Sequence, residues 1–291
     1  MVRERGQVSR PGPVGAGSRL GGLRARWRRA SARRQARRSA GHRVLRAFAA
    51  DYPDPFFIEI GANDGVRGDH LAPFIRSRRW SGVMVEPVPH VFERLRRNYG
   101  DLDRVALENV AIADRDGRLP FYHLVPAREA GAAGGDQVWS DAFGSFSRDA
   151  VLRTAAAYPG LDRRLERMEV PCLSFESLCR RHRVDRLDLL VIDTEGYDAE
   201  ILRQIDFGVH RPRVLVYEYC HLSRGQRDEC NGRLEGLGYE TMDESLDTWC
   251  VDARPDDALT RRWREILDAG PAVSEDDLRR WFEGVAGHEP G

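Results

Sequence analysis

The chain has 291 residues, 41% hydrophobic and 32% charged, which allows one large domain or two modest ones with a charged surface. No stretch approaches the ~20 apolar residues of a membrane span, so we expect no integral membrane segment. The five cysteines are scattered and form no C-x-x-C pair. This spacing excludes a disulfide framework or zinc cage, and with no signal-peptide pattern it favours the cytoplasm.

The net charge of zero hides an uneven distribution. Residues 1–46 hold 14 arginines and one acid, a net of +13, whereas the remainder holds 32 arginines and 45 acids, a net of −13. Residues 1–45 contain few apolar side chains, so we predict a disordered arginine-rich tail. A purely solvated tail, an electrostatic contact with an acidic partner or membrane surface, and a transit peptide remain open. The acidity of the remainder argues against a nucleic-acid partner.

Strand and helix patterns alternate from residue 46 onward. The strands are predicted at 56–60, 82–86, 105–112, 169–173, 187–193, 214–219 and 248–251, with a hairpin-like extension at 119–124. The helices are predicted at 71–79, 91–99, 175–182, 199–205, 226–237, 256–268 and 274–285. This alternation implies right-handed crossovers, and it predicts an α/β fold with a doubly wound, mostly parallel sheet.

After the predicted tail we expect a main domain that contains an insertion, followed by a C-terminal extension. Residues 46–252 form the predicted main domain, and residues 253–291 form a C-terminal helical extension. Residues 125–167 interrupt the alternation as an insertion, which in a compact domain is typical of a lid or binding loop. Its aromatic residues either cover a substrate or form a small hydrophobic patch, and Gly144-Ser145 suits a hinge. These aromatics are Trp139, Phe143 and Phe146.

Acids and small residues gather at the carboxyl ends of the predicted strands, where ligands bind in open parallel sheets. They are Glu59, Gly61, Asn63, Gly65, Glu86, Asn109, Ala111, Asp193, Glu195 and Glu218. The turn after the first strand reads G-A-N-D-G rather than G-x-G-x-x-G, and Asp64 would repel a diphosphate. A cationic ligand without phosphate fits better. S-adenosylmethionine (SAM) is such a ligand, and Glu86 is placed to accept hydrogen bonds from its ribose.

Four segments together resemble the FkbM-type methyltransferases. They are Ile58–Gly65 (IEIGANDG), Val85–Pro87 (VEP), Asn109–Ala113 (NVAIA) and Val191–Asp198 (VIDTEGYD). The resemblance spans about residues 54–250 and implies a seven-stranded class I, Rossmann-like fold. It also implies SAM-dependent O-methylation of a sugar or polyketide hydroxyl. Many members carry lysine where this chain has Val191, so no role of that lysine is transferred.

The resemblance also implies residue roles. Glu59, Gly61, Asn63 and Gly65 would shape the methionine pocket, and Glu86 would bind the ribose. The segment from Asn109 to Ala111 would line the adenine. Asp193 would lie near the transferring methyl group.

Methyl transfer to a hydroxyl requires alignment and a proton acceptor. Asp193 is predicted to be the base or to orient the acceptor, with Glu195 close enough to raise its pKa. Capping the helix near Gly196 and ligating a metal with Glu195, Glu218 and His221 are its alternatives. His221 is a second candidate base. We assign no metal at this point.

The leading hypothesis is therefore a SAM-dependent O-methyltransferase acting on a small sugar or natural product. A nicotinamide-dependent reductase or epimerase on a similar sheet is the first alternative, and a non-catalytic SAM-binding module is the second. The oligomeric state is left open.

Overall fold

The computed structural model describes residues 39–66, 69–125, 143–156 and 161–271. Most of the predicted tail, Trp139 and the predicted helix at 274–285 lie outside these residues. The helices are α1 (Ala40–Asp51), α2 (Ala72–Ser77), α3 (Pro89–Tyr99), α4 (Arg148–Ala156), α5 (Phe175–His182), α6 (Asp198–Gln204), α7 (Arg224–Gly236) and α8 (Ala258–Ala269), with a 3₁₀ turn at Leu161–Arg164. Among the described residues, none of these helices has the length and apolarity to cross a bilayer.

The strands fall into two sheets. They are β1 (Phe56–Ile60), β2 (Ser81–Val85), β3 (Val105–Glu108), β4 (Ala111–Ile112), β5 (Gly117–Leu124), β6 (Gly144–Ser145), β7 (Leu165–Leu173), β8 (Leu189–Ile192), β9 (Val214–Glu218), β10 (Tyr239–Glu244) and β11 (Asp247–Asp252). Seven form the main sheet in the order β10-β11-β9-β8-β1-β2-β3. Strands β3, β2, β1, β8 and β9 are parallel, and β11 runs antiparallel to β9 and β10. The predicted seven-stranded, mostly parallel fold is confirmed.

Alternation along β1 explains the layering, because successive strand side chains point to opposite faces. Phe57 belongs to a core cluster that includes side chains of α1, α2, α3 and α8. Its neighbour Ile58 belongs to a second cluster that includes side chains of α5, α6 and α7. Helices thus cover both faces of the main sheet, and the doubly wound arrangement follows.

The small sheet has the order β4-β7-β5-β6 and holds part of the predicted insertion. The predicted third strand is interrupted, because β3 ends at Glu108 and β4 pairs with β7 instead of β2. The predicted strand at 169–173 begins earlier, at Leu165, and pairs along its length with β5. It therefore lies outside the main sheet, contrary to the sequence-based assignment.

Both ends of the predicted main domain need correction. Helix α1 begins at Ala40, within the predicted tail, and it buries Val44 and Phe48 in the core. The Glu244 carboxylate accepts hydrogen bonds from the backbone N–H groups of Ala40 and Gly41, both at 2.8 Å. Helix α8 buries Trp263 in the same cluster as α1, so it is part of the core and not an appended extension.

Candidate functional site

A cleft of about 1020 Å³ lies at the carboxyl ends of β1, β2, β8 and β9. Segments following β3 and β10 complete its walls. Seven acidic residues line it: Glu59, Asp69, Glu86, Asp193, Glu195, Glu218 and Asp247. Among the described lining residues, Arg153 is the one arginine, and His70 and His221 are the histidines. The cleft therefore favours a cationic ligand over a phosphorylated one.

The turn after β1 is hydrogen-bonded on one side to the end of β2 and on the other side to the residue that follows β8. The N–H of Gly61 donates to the Val85 carbonyl, and the N–H of Asp193 donates to the Ile60 carbonyl, both at 2.9 Å. Gly61 has a φ of +85°, and a Cβ there would lie 1.7 Å from the Asp193 carbonyl oxygen. Glycine is required because a side chain would separate β1 from β8.

Glu86 follows β2 and holds this turn. Its Oε2 accepts a hydrogen bond from the Asn63 N–H at 3.1 Å, and its Oε1 accepts one from the Val88 N–H at 2.8 Å. Burial raises the pKa of Glu86 to about 8 despite these two donors. A carboxylate has about four lone-pair sites, so both oxygens retain acceptor capacity toward a ligand.

Glu59 and Asp69 form a coupled pair beside the turn. Burial raises the pKa of Glu59 well above its ordinary value, and the charge and hydrogen bond of Asp69 raise it further. Burial raises the pKa of Asp69 to about 6, against the N–H groups of Leu71 and Ala72 that donate to it. Two carboxyls sharing one proton carry one net negative charge, which suits a single ammonium group.

Two of the residues predicted to bind the cofactor, Gly65 and Asn109, do not line the cleft. Gly65 (φ +68°) packs against the Tyr99 ring, and the Tyr99 hydroxyl donates to its carbonyl at 2.5 Å. The Asn109 amide donates to the carbonyls of Glu86 at 2.8 Å and Pro87 at 3.1 Å. Asn109 therefore fixes the loop after β2, and it does not line the cleft. Ala111 does line the cleft.

Asp193 follows β8 and is exposed to the cleft. The surrounding protein limits its hydration, and the charges of Glu195 and Asp247 repel its own, so its pKa is raised well above the ordinary value. It does not cap α6, as one interpretation of the sequence had it. The residue before the helix, Tyr197, makes no side-chain capping hydrogen bond. Asp198, the first residue of α6, instead holds the preceding turn, since its carboxylate accepts the Thr194 hydroxyl at 2.8 Å and the Gly196 N–H at 3.3 Å.

Glu195 and His221 form an ion pair across the cleft, with 2.8 Å between Glu195 Oε2 and His221 Nε2. Burial lowers the pKa of His221, but hydrogen bonds to Cys220 and Glu195, together with the Glu195 charge, raise it to about 10. His221 is therefore cationic at neutral pH. This is unfavourable for the predicted role as a base, which requires a neutral imidazole.

A family model described as the methyltransferase FkbM domain matches residues 59–267, well over half of the chain. The chain belongs to the FkbM methyltransferase family.

This FkbM chain is 27% identical over 168 residues to the 2-O-methyltransferase NoeI of Sinorhizobium fredii (strain NBRC 101917 / NGR234). The match covers 57% of the chain and 64% of that relative, so the chain spans less than two thirds of its length. Among solved structures, the methyltransferase FkbM from Methylobacillus flagellatus KT is 12% identical with a TM-score of 0.41, covering 68% and 44% of the two chains. A methyltransferase from Geobacter sulfurreducens is 15% identical with a TM-score of 0.37, covering 81% and 94%.

Part of the predicted insertion reaches the cleft of this FkbM domain. Phe143 and Phe146 line it, while Gly144 and Ser145 are paired with β5 rather than free to act as a hinge. The buried Ser145 hydroxyl donates to the Glu195 carbonyl at 2.8 Å. This hydrogen bond connects the small sheet to the turn that carries Glu195.

Sequence reasoning missed three cleft residues. Asp69 and His70 precede α2, and Asp247 is the first residue of β11. The Asp247 carboxylate lies 3.1 Å from His70 Nε2 and accepts a hydrogen bond from it. An acid just before a helix was a detectable capping signal for Asp69. Asp247 had no comparable signal, because β10 itself was not predicted.

Proposed function

We propose that the chain transfers a methyl group from SAM to a hydroxyl oxygen of a small, polyhydroxylated acceptor. The acidic cleft at the carboxyl ends of four main-sheet strands carries the proposal, because its charge suits a phosphate-free cation. Membership of the FkbM family supports methyl transfer. The name of the Sinorhizobium relative, a 2-O-methyltransferase, supports oxygen as the accepting atom.

The residues at the β1–β2 end of the cleft fit SAM. Glu59 and Asp69 together supply one negative charge for the ammonium group, and Glu86 supplies carboxyl oxygens for hydrogen bonds with the ribose hydroxyls. Val110 to Ile112 add an apolar wall for the adenine. The bound sulfonium would supply an already activated methyl group, so the protein need not activate the donor.

The residues at the β8–β9 end act on the acceptor. Asp193 accepts the hydroxyl proton, and its raised pKa makes it a stronger base than an ordinary aspartate. His221 is held cationic by Glu195 and donates hydrogen bonds. Alignment of the two reactants contributes roughly 7–11 kcal/mol and a general base roughly 3–5 kcal/mol, so positioning is the larger contribution.

The acceptor is sugar-like because its end of the cleft is rich in hydrogen-bond acceptors. Glu195, Glu218 and Asp247 are carboxylates that accept hydrogen bonds from hydroxyl groups. Phe143 and Phe146 provide flat apolar surfaces nearby. This combination matches a ring that carries several hydroxyls on an apolar face.

Calorimetric titration with SAM and S-adenosylhomocysteine tests the cofactor assignment. We expect saturable binding that Glu86→Ala nearly abolishes. Glu93→Ala is the matched control, because Glu93 is an acid of α3 that pairs with Arg96 on the surface. A folded protein that binds neither compound, or binds them equally well without Glu86, would refute the proposal.

Turnover separates an enzyme from a non-catalytic binding module. Radiolabelled methyl transfer from SAM should be screened against free sugars, nucleotide sugars and glycosides. We expect label in at least one hydroxylated acceptor. Cofactor binding without transfer to any member of such a panel would favour the binding module.

A further inference from the structure

Three carboxylates from two neighbouring strand ends converge inside the cleft. Asp193, Glu195 and Glu218 each offer one oxygen such that all three oxygens lie within 4.8 Å of one another. At these separations like charges repel strongly, particularly where water is limited. His221 lies 2.8 Å from Glu195 and 3.8 Å from Glu218, and its single charge can balance only one of the three carboxylates.

Glu218 provides an independent observation, because it is only 6% exposed and one of its oxygens accepts no hydrogen bond within the described part of the chain. Oε1 accepts a hydrogen bond from the Cys220 thiol at 3.3 Å, whereas Oε2 has no hydrogen bond from any described residue. Oε2 lies 3.8 Å from His221 Nε2, within range of an ion pair but not of a hydrogen bond. Leaving a buried acceptor without a donor costs about 1–3 kcal/mol, so a ligand that binds this oxygen would be stabilising.

The backbone holds all three carboxylates on fixed elements. The N–H of Asp193 is bound to the Ile60 carbonyl at 2.9 Å, and the N–H of Glu218 approaches the Asp198 carboxylate at 3.3 Å. Glu195 has a φ of +53°, a rare conformation for a residue with a side chain, and the Ser145 hydroxyl secures its carbonyl. Such a backbone conformation persists only where the surroundings enforce it, often at ligand sites.

We propose that Asp193, Glu195 and Glu218 bind one divalent cation of the oxygen-preferring class, Mg²⁺ or Mn²⁺. Carboxylate oxygens are the ligands that these ions prefer, and both ions favour six-coordination. Three protein ligands leave positions open for water or for hydroxyls of an acceptor. His221 contacts Glu195 at 2.8 Å and orients it.

The site lies where the proposed acceptor binds, and its use in catalysis rests on the proposed function. A cation there would lower the pKa of an acceptor hydroxyl that approaches it. Cation binding itself does not depend on methyl transfer.

Manganese binding to the purified full chain, stripped with a chelator, tests the proposal. Electron paramagnetic resonance of free Mn²⁺ should show one bound ion per chain, displaced by Mg²⁺. We expect Glu218→Gln and Asp193→Asn each to weaken binding at least about tenfold. Glu265→Gln is the control, because Glu265 pairs with Arg262 on the exposed face of α8.

Two further variants distinguish cation binding from SAM binding and the carboxylate ligands from a ligand set that includes a thiol. Glu86→Gln should weaken SAM binding and leave Mn²⁺ binding unchanged. Cys220→Ser examines the softer ligand set of Glu218, Cys220 and His221, which would suit Zn²⁺. Zn²⁺ binding that requires Cys220 but not Asp193 would overturn the carboxylate site.

The proposal also fails if a sample that binds SAM shows no saturable Mn²⁺ binding at millimolar concentration, or if both carboxylate variants bind Mn²⁺ as the native chain does. Thermal unfolding confirms that each variant is folded. If Mn²⁺ binds but SAM does not, the proposed function fails while the cation site stands.

Discussion

The two ends of the cleft are built differently. At the β1–β2 end, the Glu86 oxygens take backbone N–H donors, whereas Glu59 Oε2 and Asp69 Oδ2 have no hydrogen bond from any described residue. At the β8–β9 end, Asp193, Glu195 and Glu218 crowd together, and one Glu218 oxygen has no donor among the described residues. Backbone donors hold Glu86 at the first end, and the like charges there are two neighbouring acids rather than three. At the second end, His221 offsets only part of the negative charge, so the two ends should respond differently to mutation.

Gly61→Ala should have the largest effect, because the added Cβ would meet the Asp193 carbonyl at 1.7 Å in a conformation that favours glycine. We expect a loss of about 3 kcal/mol or more in the free energy of unfolding and loss of SAM binding. Urea denaturation and calorimetry measure the two effects.

Gly225→Ala is the control for that substitution. Gly225 lies in α7, and a Cβ added there would have no heavy atom within 4 Å, so alanine should stabilise the helix by up to about 1 kcal/mol. Equal effects of the two substitutions would show that the β1–β8 contact is not tight.

Asp193→Asn tests the other end of the cleft. Asparagine has a similar shape but is a very poor proton acceptor, so we expect a decrease in kcat of about 10²–10⁴-fold with SAM affinity nearly unchanged. Asp228→Asn, on the exposed face of α7, should leave both unchanged. A parallel loss of SAM affinity would place Asp193 in the cofactor site instead.

Both ends of the cleft could be located from the sequence wherever the signal was local. Strand β1 and helix α5 have the predicted bounds, because continuous apolar runs and helical spacing are local signals. The Gly61 turn and Glu86 were found for the same reason, since both directly follow apolar strands. Acids at the ends of β8 and β9 were found in this way too.

The missing elements depend on distant partners. The first half of helix α1 was assigned to the tail. Its N-terminus is held by Glu244, some 200 residues away, and such a long-range contact leaves no local signal. Strand β10 reads Tyr-Glu-Thr-Met-Asp-Glu, whose acids obscure its alternation, yet it pairs along its whole length with β11. Consequently Asp247, beside the turn that joins these two strands, was missed.

Glu86 should make stability depend on pH. The unfolded chain releases this proton near pH 4.5, whereas burial raises the folded-state pKa to about 8. Between these values the folded state keeps a proton that the unfolded state has lost, so the free energy of unfolding falls as pH rises. We expect Glu86→Gln to remove roughly 3 kcal/mol of this fall between pH 5 and 8.

Urea denaturation at several pH values measures that slope. Glu93→Gln is the control, because Arg96 lowers the pKa of the exposed Glu93 and its titration lies below this window. An unchanged slope without Glu86 would mean that its carboxyl is better hydrated than its burial implies.

Ser145→Ala should have the smallest effect on stability, although the Ser145 side chain connects the two sheets. The change removes the hydroxyl that donates to the Glu195 carbonyl at 2.8 Å and accepts the Ser147 N–H at 3.0 Å. We expect a loss of about 1–2 kcal/mol of stability, because buried partners are left unpaired. Ser77→Ala, at an exposed hydroxyl in α2, should cost less stability.

The Ser145 substitution should also affect turnover. Because Glu195 has a positive φ, relaxing its carbonyl should reduce kcat at the β8–β9 end, while SAM affinity at the β1–β2 end is retained. Equal losses at both ends would show that the cleft responds as one rigid unit.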